Sequence, residues 1–314
     1  MDSLTHIAFG ACTGELLLGK RLGKKALVYG AIAANIPDID IIAGFFEPAD
    51  KALVLHRGLT HSIFFAIVIG LCLAWLARKL YPGIAYKVLA FFFCFELLMH
   101  DLIDTCTSYG TGLLEPFSQH RFSIHLLYVV DPLLTIGLLA AAVYLVFGLK
   151  RRRLCAISGL AISGFYLCIA CICKAYVDTR VKSSFTTPAP FTCLLWYSVL
   201  KTDSGYYTGY YSVFDKKPID YSYYPQNNFL LKTPQPYLKM FADGYYTLSQ
   251  ANNITYFNVI RFGQIQGWQS KNAPFVLSYP LKTAEDENMV IQKGRLKGWN
   301  KASVRQYLER IAGR

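Results

Sequence analysis

The sequence predicts an α-helical polytopic membrane domain of about five or six membrane segments, followed by a small β-rich extracytoplasmic domain. Three observations lead there. Of the 314 residues only 17% are charged and 54% are hydrophobic, against about 25% charged in an ordinary soluble chain. The deficit lies in the first 180 residues, where apolar runs reach the roughly 20 residues a helix needs to cross a bilayer. After about Lys182 the composition turns to Tyr, Ser, Thr and Asn. The expected domains are therefore 1–180, membrane-embedded, and 183–314, soluble and β-rich with a C-terminal helix.

The segments follow in order. Residues 4–19 are a short opening segment, interrupted by His6 and Glu15 and preceded by no basic region, so it is expected to stay in place as structure. Residues 26–46 are apolar but broken by Asn35, Pro37, Asp38 and Asp40. Pro37 has no N–H, and such a break is tolerated in lipid only against protein or a watery cavity. Residues 61–77, 86–103, 125–149 and 154–177 are the clearest runs. Beyond them, 192–203, 205–215, 253–268 and 273–281 read as strands from their aromatic content and partial alternation, with turns at 227–228 and 271–274. Residues 300–311 are amphipathic and predict a closing helix.

The net charge of +12 does not point to nucleic acid. Lys20–Lys25, Arg78, Lys79 and Lys87, and Lys150–Arg153 sit at ends of apolar segments, as cytoplasmic Lys and Arg do in membrane proteins. No nucleic-acid-binding signature accompanies them. Placing these clusters inside predicts a cytoplasmic (inner) membrane protein with its C-terminal domain outside. It also puts all six histidines on the outer side. Most of the nine cysteines lie in apolar stretches and read as small hydrophobes, not as a disulfide scaffold.

Ligand chemistry concentrates in three motifs. In "HDLID", His100 and Asp104 are four apart and share a helix face. Intramembrane ionisable groups are costly unless partnered. In "NIPDID", Asp38 and Asp40 follow the break and can hold or bridge metal ions. In "HRGLTHS", Gly58 permits a tight turn between His56 and His61, Thr60 is expected to cap the next helix, and Arg57 offers a forked donor suited to phosphate or carboxylate. His6 can join from the first segment. The metal candidates are thus His6, Asp38, Asp40, His56, His61, His100 and Asp104. The mixed N and O donor set suits zinc best, with manganese or iron next. Glu115, His120 and Arg121 hang near the site as candidate substrate contacts, and Asp131 is expected to pair with Arg57 or Arg121.

The stretches "MDSLTHIAFGACTGELLLGKRLGKKALVYGAIAANIPDID", "HRGLTHS" and "HDLIDTCTSYGTGLLEPFS" resemble a family of membrane-bound metal-dependent hydrolases once grouped as a domain of unknown function. Some of its members are described as inner-membrane proteins binding a DNA-damage repressor. The resemblance covers about residues 1–180 and implies a helical membrane hydrolase. The family's histidines and aspartates fall on the same seven metal candidates.

The expected function is a metal-dependent hydrolase at the outer membrane face, acting on a phosphate-containing lipid or lipid-linked substrate. Asp38, Asp40 and Asp104 would orient water or take its proton, and Arg57 would neutralise a phosphoryl oxygen. Membrane lipid is the expected partner; the sequence identifies no protein partner for the C-terminal domain. The competing readings are an ion-coupled transporter or channel-like protein, and a membrane protein with a structural metal site and a partner-binding domain. The helical "HExxH" pattern of metalloproteases is absent.

Overall fold

In the computed structural model the described residues are 1–148, 150–270, 273–281, 291–292 and 299–314. They form two compact units. The first comprises Met1–Ala43, Leu55–Ile124 and Val129–Ile169, and the second Gly44–Val54, His125–Tyr128 and Ala170–Arg314.

Helix α1 (Ser3–Leu22) starts where the Asp2 side chain accepts the Thr5 N–H and stops at Gly23, whose φ of +56° a side chain would resist. Lys20 and Arg21 in its last turn oppose the negative end of the dipole. Helix α2 (Lys25–Ala33) packs on α1 through glycine. A Cβ on Gly10, Gly14 or Gly30 would collide with the facing backbone, so the two axes approach closely. The chain then breaks. Pro37–Ile39 is a 3-10 turn, α3 (Asp40–Gly44) follows, and the direction changes by 57°. Helix α4 (Ala49–Leu55) precedes a second 3-10 turn, Leu59–His61. Helix α5 (Ile63–Leu80) is capped by Ser62, which accepts from Phe65 N, and not by Thr60 as the sequence suggested. Helix α6 (Tyr86–Thr105) pairs with α5, with Gly70 against Cys94. Helix α7 (Pro132–Phe147) is capped by Asp131 with Pro132 in its first turn, and α8 spans Arg152–Arg180.

The expectation of five or six membrane segments is corrected here. Among the described residues two helices, α5 and α8, are long and apolar enough to cross a membrane, or three if the bent pair α2–α3 counts as one span. The reasons are local. Thr5, His6, Thr13, Glu15 and Lys20 dilute α1. Lys87, Glu96, Asp101 and Asp104 load α6 with charge. The apolar run at 125–149 is not one helix, because Asp131 and Pro132 start α7 late. Its 16 residues reach about 24 Å, short of a hydrocarbon core of roughly 30 Å.

Among the described residues the β-rich part holds two open, four-stranded antiparallel sheets. One has the order β1 (Phe185–Pro188), β2 (Leu195–Lys201), β3 (Gly205–Ser212), β4 (Ser222–Pro225). After α9 (Pro236–Ala242) comes β5 (Tyr246–Ala251), β6 (Ile254–Gln264), β7 (Phe275–Leu281) and β8 (Ile291–Gln292). Asn252 and Asn253, both at positive φ, form the two-residue turn between β5 and β6. Tyr197, Val199, Tyr206, Ile260 and Phe275 make one core. The predicted closing helix is α10 (Lys301–Ile311), with Asn300 and Ser303 as a reciprocal cap. Lys271 and Asn272 of the predicted turn, and Leu149 of the apolar run 125–149, lie outside the described residues.

Candidate metal centre

Four stretches of the first unit converge: the start of α1, the turn Pro37–Ile39 with Asp40, the turn Leu59–His61, and the last turns of α6. His100 and Asp104 lie one turn apart on the buried face of α6. His61 ends its 3-10 turn fully buried because Gly58 N donates to Leu55 O and His61 N to Gly58 O, folding the segment inward. Asp38 sits directly after Pro37, where the break in the apolar run turns its carboxylate toward α6.

His61 Nε2 lies 3.1 Å from His100 Nε2. Asp38 Oδ1 is 3.5 Å from the first and 3.7 Å from the second. Asp104 Oδ2 repeats those distances, 3.5 and 3.7 Å. A tetrahedral ion bonded at about 2.0–2.2 Å separates its donors by roughly 3.3–3.6 Å, so these four atoms have close to the spacing of one coordination shell. All four ligand atoms lie within 4.8 Å of one another.

The rings are also held in the right tautomer. His100 Nδ1 is 2.7 Å from Ala34 O, which can only accept, so the proton is on Nδ1 and the Nε2 lone pair faces the centre. His61 Nδ1 lies 3.2 Å from Asp40 Oδ2 and 3.1 Å from Thr60 Oγ1. This is the carboxylate–histidine arrangement that orients metal ligands. Nε2 atoms 3.1 Å apart need either a proton or an ion between them. Burial alone would lower the His61 pKa, but hydrogen bonds to Asp104, Asp38 and Asp40 carry it to about 10. A proton on His61 and a bound ion are alternative ways to satisfy the pair.

The other predicted ligands stand one layer out. His6 stacks on His100 with ring centroids 3.9 Å apart and places Nε2 3.2 Å from Asp104 Oδ1, which the Met1 amino group also contacts. Asp40 receives His56 Nδ1 at 2.9 Å, Arg57 N at 2.9 Å and Thr60 Oγ1 at 2.9 Å. Asp38, Asp40 and His56 form a second group with ligand atoms within 4.8 Å, sharing Asp38 with the first. The side chains of His56 and Asp38, 26% and 14% exposed, mark where water reaches the centre.

Arg57 is buried and not a free clamp. Its Nε stands 2.9 Å from Asp104 Oδ2, off hydrogen-bond alignment, while a terminal nitrogen donates to Thr107 Oγ1 at 2.8 Å and its guanidinium lies over Tyr109. Its φ of +64° is a strained value for a side-chain-bearing residue. Arg121 donates to the carbonyls of His56, Arg57 and Gly110 and so ties the loop after α6 to the "HRG" turn. Glu115 rests between Gly58 and Gly112, and burial pushes its carboxyl above the usual range against the pull of Arg121. His120 is exposed against Phe122 and is not brought to the cluster. Asp131 caps α7 and accepts from Tyr166 at 2.8 Å, so the expected pairing with Arg57 or Arg121 is replaced.

Two buried acids of α6 complete the surroundings. Both Asp101 oxygens are buried without a hydrogen-bond partner among the described residues, and Glu96 meets Thr13 Oγ1 at 2.6 Å. The sequence signal for Glu96 is an acid in the middle of the apolar run "FFFCFELLMH".

The helical unit thus defines a membrane protein with a buried histidine–aspartate cluster able to hold a divalent metal. The family model described as "YdjM inner membrane protein" matches residues 1–177, more than half of the chain, and the chain belongs to that family. It is similar to "Inner membrane protein YbcI" of Escherichia coli (strain K12), 34% identical over 121 residues, covering 38% of this chain and 69% of the relative. It is also similar to "Uncharacterized protein YfhP" of Bacillus subtilis (strain 168), 27% identical over 150 residues, 45% of each chain. The chain therefore spans about two thirds of one relative and less than half of the other. No solved structure matches.

Proposed function

We propose that this protein is a membrane-embedded, divalent-metal-dependent hydrolase of a phosphate-containing lipid or lipid-linked substrate. The carrying observation is the pair of Nε2 atoms 3.1 Å apart, each with its Nδ1 already engaged, flanked by Asp38 and Asp104. Zinc fits this donor set best, manganese or iron next. A bound ion would lower the pKa of water and polarise a phosphoryl group. The chain supplies the rest. Asp40 fixes the rings of His61 and His56. Asp38, the most exposed of the four donors, is placed to orient incoming water, and Arg57 balances Asp104 from behind.

Orientation follows from charge. Helix α5 ends in Arg78 and Lys79, and α8 begins beside Arg151, Arg152 and Arg153. By the preference of Lys and Arg for the cytoplasmic side, the centre, which adjoins the start of α5, faces the opposite side, and residues 183–314 follow α8 out of the cytoplasm. Metal analysis of wild type, His100→Ala and Asp104→Ala, followed by release assays on lipid phosphates, diphosphates and phosphodiesters, tests the reading. Metal retained in both variants, or no release from any substrate by loaded wild type, overturns it. A second reading has one observation in its favour: four protein donors around one point are the closed shell of a structural metal site. Metal bound without turnover selects it.

A further inference from the structure

The basic residues lie at the other end of the same helical unit and take no part in the centre. Three loops distant in sequence meet there. Lys24 Nζ donates to Val146 O at 2.6 Å. Arg152 grips Glu15 with two nitrogens at 3.1 and 2.6 Å and donates to Leu145 O and Gly148 O, pinning the α7–α8 loop to α1. The α5–α6 loop joins them through Tyr81, whose hydroxyl meets that of Tyr29 on α2 at 2.9 Å, and Ile84, which shares a core cluster with Leu18.

Arg152 is neutralised by Glu15. Its neighbours are not. Among the described residues Arg21, Lys25, Arg78, Lys87, Arg151 and Arg153 are exposed and have no acidic partner. Directly beside these charges the surface is apolar. Leu80, Val146 and Phe147 are exposed, and Trp75 is exposed under Lys79, whose Nζ lies 3.6 Å from the ring centroid. Tryptophan at that level is typical of a membrane–water boundary. A row of unspent cations bordering an apolar wall has the polarity of a phospholipid: anionic head above, acyl chains beside. The loops are too short to build a recess for a folded partner, since α1 and α2 are separated only by Gly23 and Lys24.

We propose that this end of the helical unit binds anionic phospholipid, with Lys24, Lys25, Arg151 and Arg153 holding the head-group phosphate. Basic groups at a bilayer surface each contribute roughly a fivefold preference for anionic lipid, and the fixed Arg152–Glu15 pair keeps the two loops together so that several act on one head group.

The test uses the full chain in mixed micelles of equal phosphatidylglycerol and phosphatidylcholine, with retained lipid quantified after gel filtration. Wild type should retain the anionic lipid severalfold over the zwitterionic one. Lys24→Gln, Lys25→Gln, Arg151→Gln and Arg153→Gln combined should bring the ratio near one, while Lys216→Gln with Lys217→Gln leaves it unchanged. In wild type alone the ratio should fall as salt is raised, which keeps the test decisive if the fourfold variant fails to fold. Equal retention of both lipids by wild type, a salt-independent ratio, a folded fourfold variant that keeps the preference, or competition by inorganic phosphate as effective as by lipid overturns the proposal.

Discussion

The two ends of the helical unit carry similar numbers of ionisable groups and treat them in opposite ways. At the candidate metal centre most charges are buried and answer one another: Asp104 alone faces His6, Arg57, His61 and the Met1 amino group. At the basic end the charges are exposed and, apart from Arg152, have no acidic partner among the described residues. The difference teaches that burial, not charge, decides which residues the fold depends on. An ion removed from water must be balanced by partners, and losing one strands the rest.

The sharpest way to break this contrast is Asp104→Ala. It leaves Arg57 and His6 buried without their carboxylate, and should destabilise the protein by about 3–5 kcal/mol. Unfolding midpoints in detergent measure it, and a loss under about 1 kcal/mol would show that the cluster is not mutually dependent. Asp40→Asn is milder. It keeps the shape but removes the charge that orients His61, and should weaken metal affinity about 10- to 100-fold. Competition with a chelating dye reads this, and unchanged affinity would make Asp40 a mere helix-end acid.

A half-buried histidine near two cations sharpens the rule from the other side. His125 is held at about 3 by burial first, then by Arg261 and Lys174. Its folded pKa lies below the ordinary value of about 6.5, so between these limits the unfolded chain binds the extra proton. Stability from this residue is complete above about 6.5 and declines as pH falls toward 3, by about 1.4 kcal/mol per pH unit at most. A His125→Phe variant should have a shallower acid limb, and identical limbs would remove His125 from the account. The smallest effect is expected at the basic end, where Lys25→Gln should change stability by no more than about 0.5 kcal/mol. A larger loss would mean that this end is also structural.

Much of the centre was legible in the sequence. The four-residue spacing of His100 and Asp104, and two acids directly after a proline break, mark residues that the fold brings together. Which residues touch the ion position was not. His6, Asp40 and His56 have the same chemistry as the inner donors, and only the tertiary path of α1 and the "HRG" turn places them one layer out. Arg57 was open to two uses for a related reason: a guanidinium suits a phosphoryl group and a carboxylate equally well, and in the fold it lies against Asp104. The count of membrane segments failed because an apolar run records composition and not helical continuity, as Asp131 and Pro132 show at the start of α7.

The bond from His100 Nδ1 to Ala34 O carries one more consequence. In a continuing turn, the carbonyl of Ala34 would look three residues ahead for an N–H, and there it finds Pro37, which has none. The imidazole of α6 takes up that vacant acceptor at 2.7 Å. The kink and the ligand are thus a single latch. The bend at Pro37 and the orientation of the His100 ring rest on one backbone carbonyl.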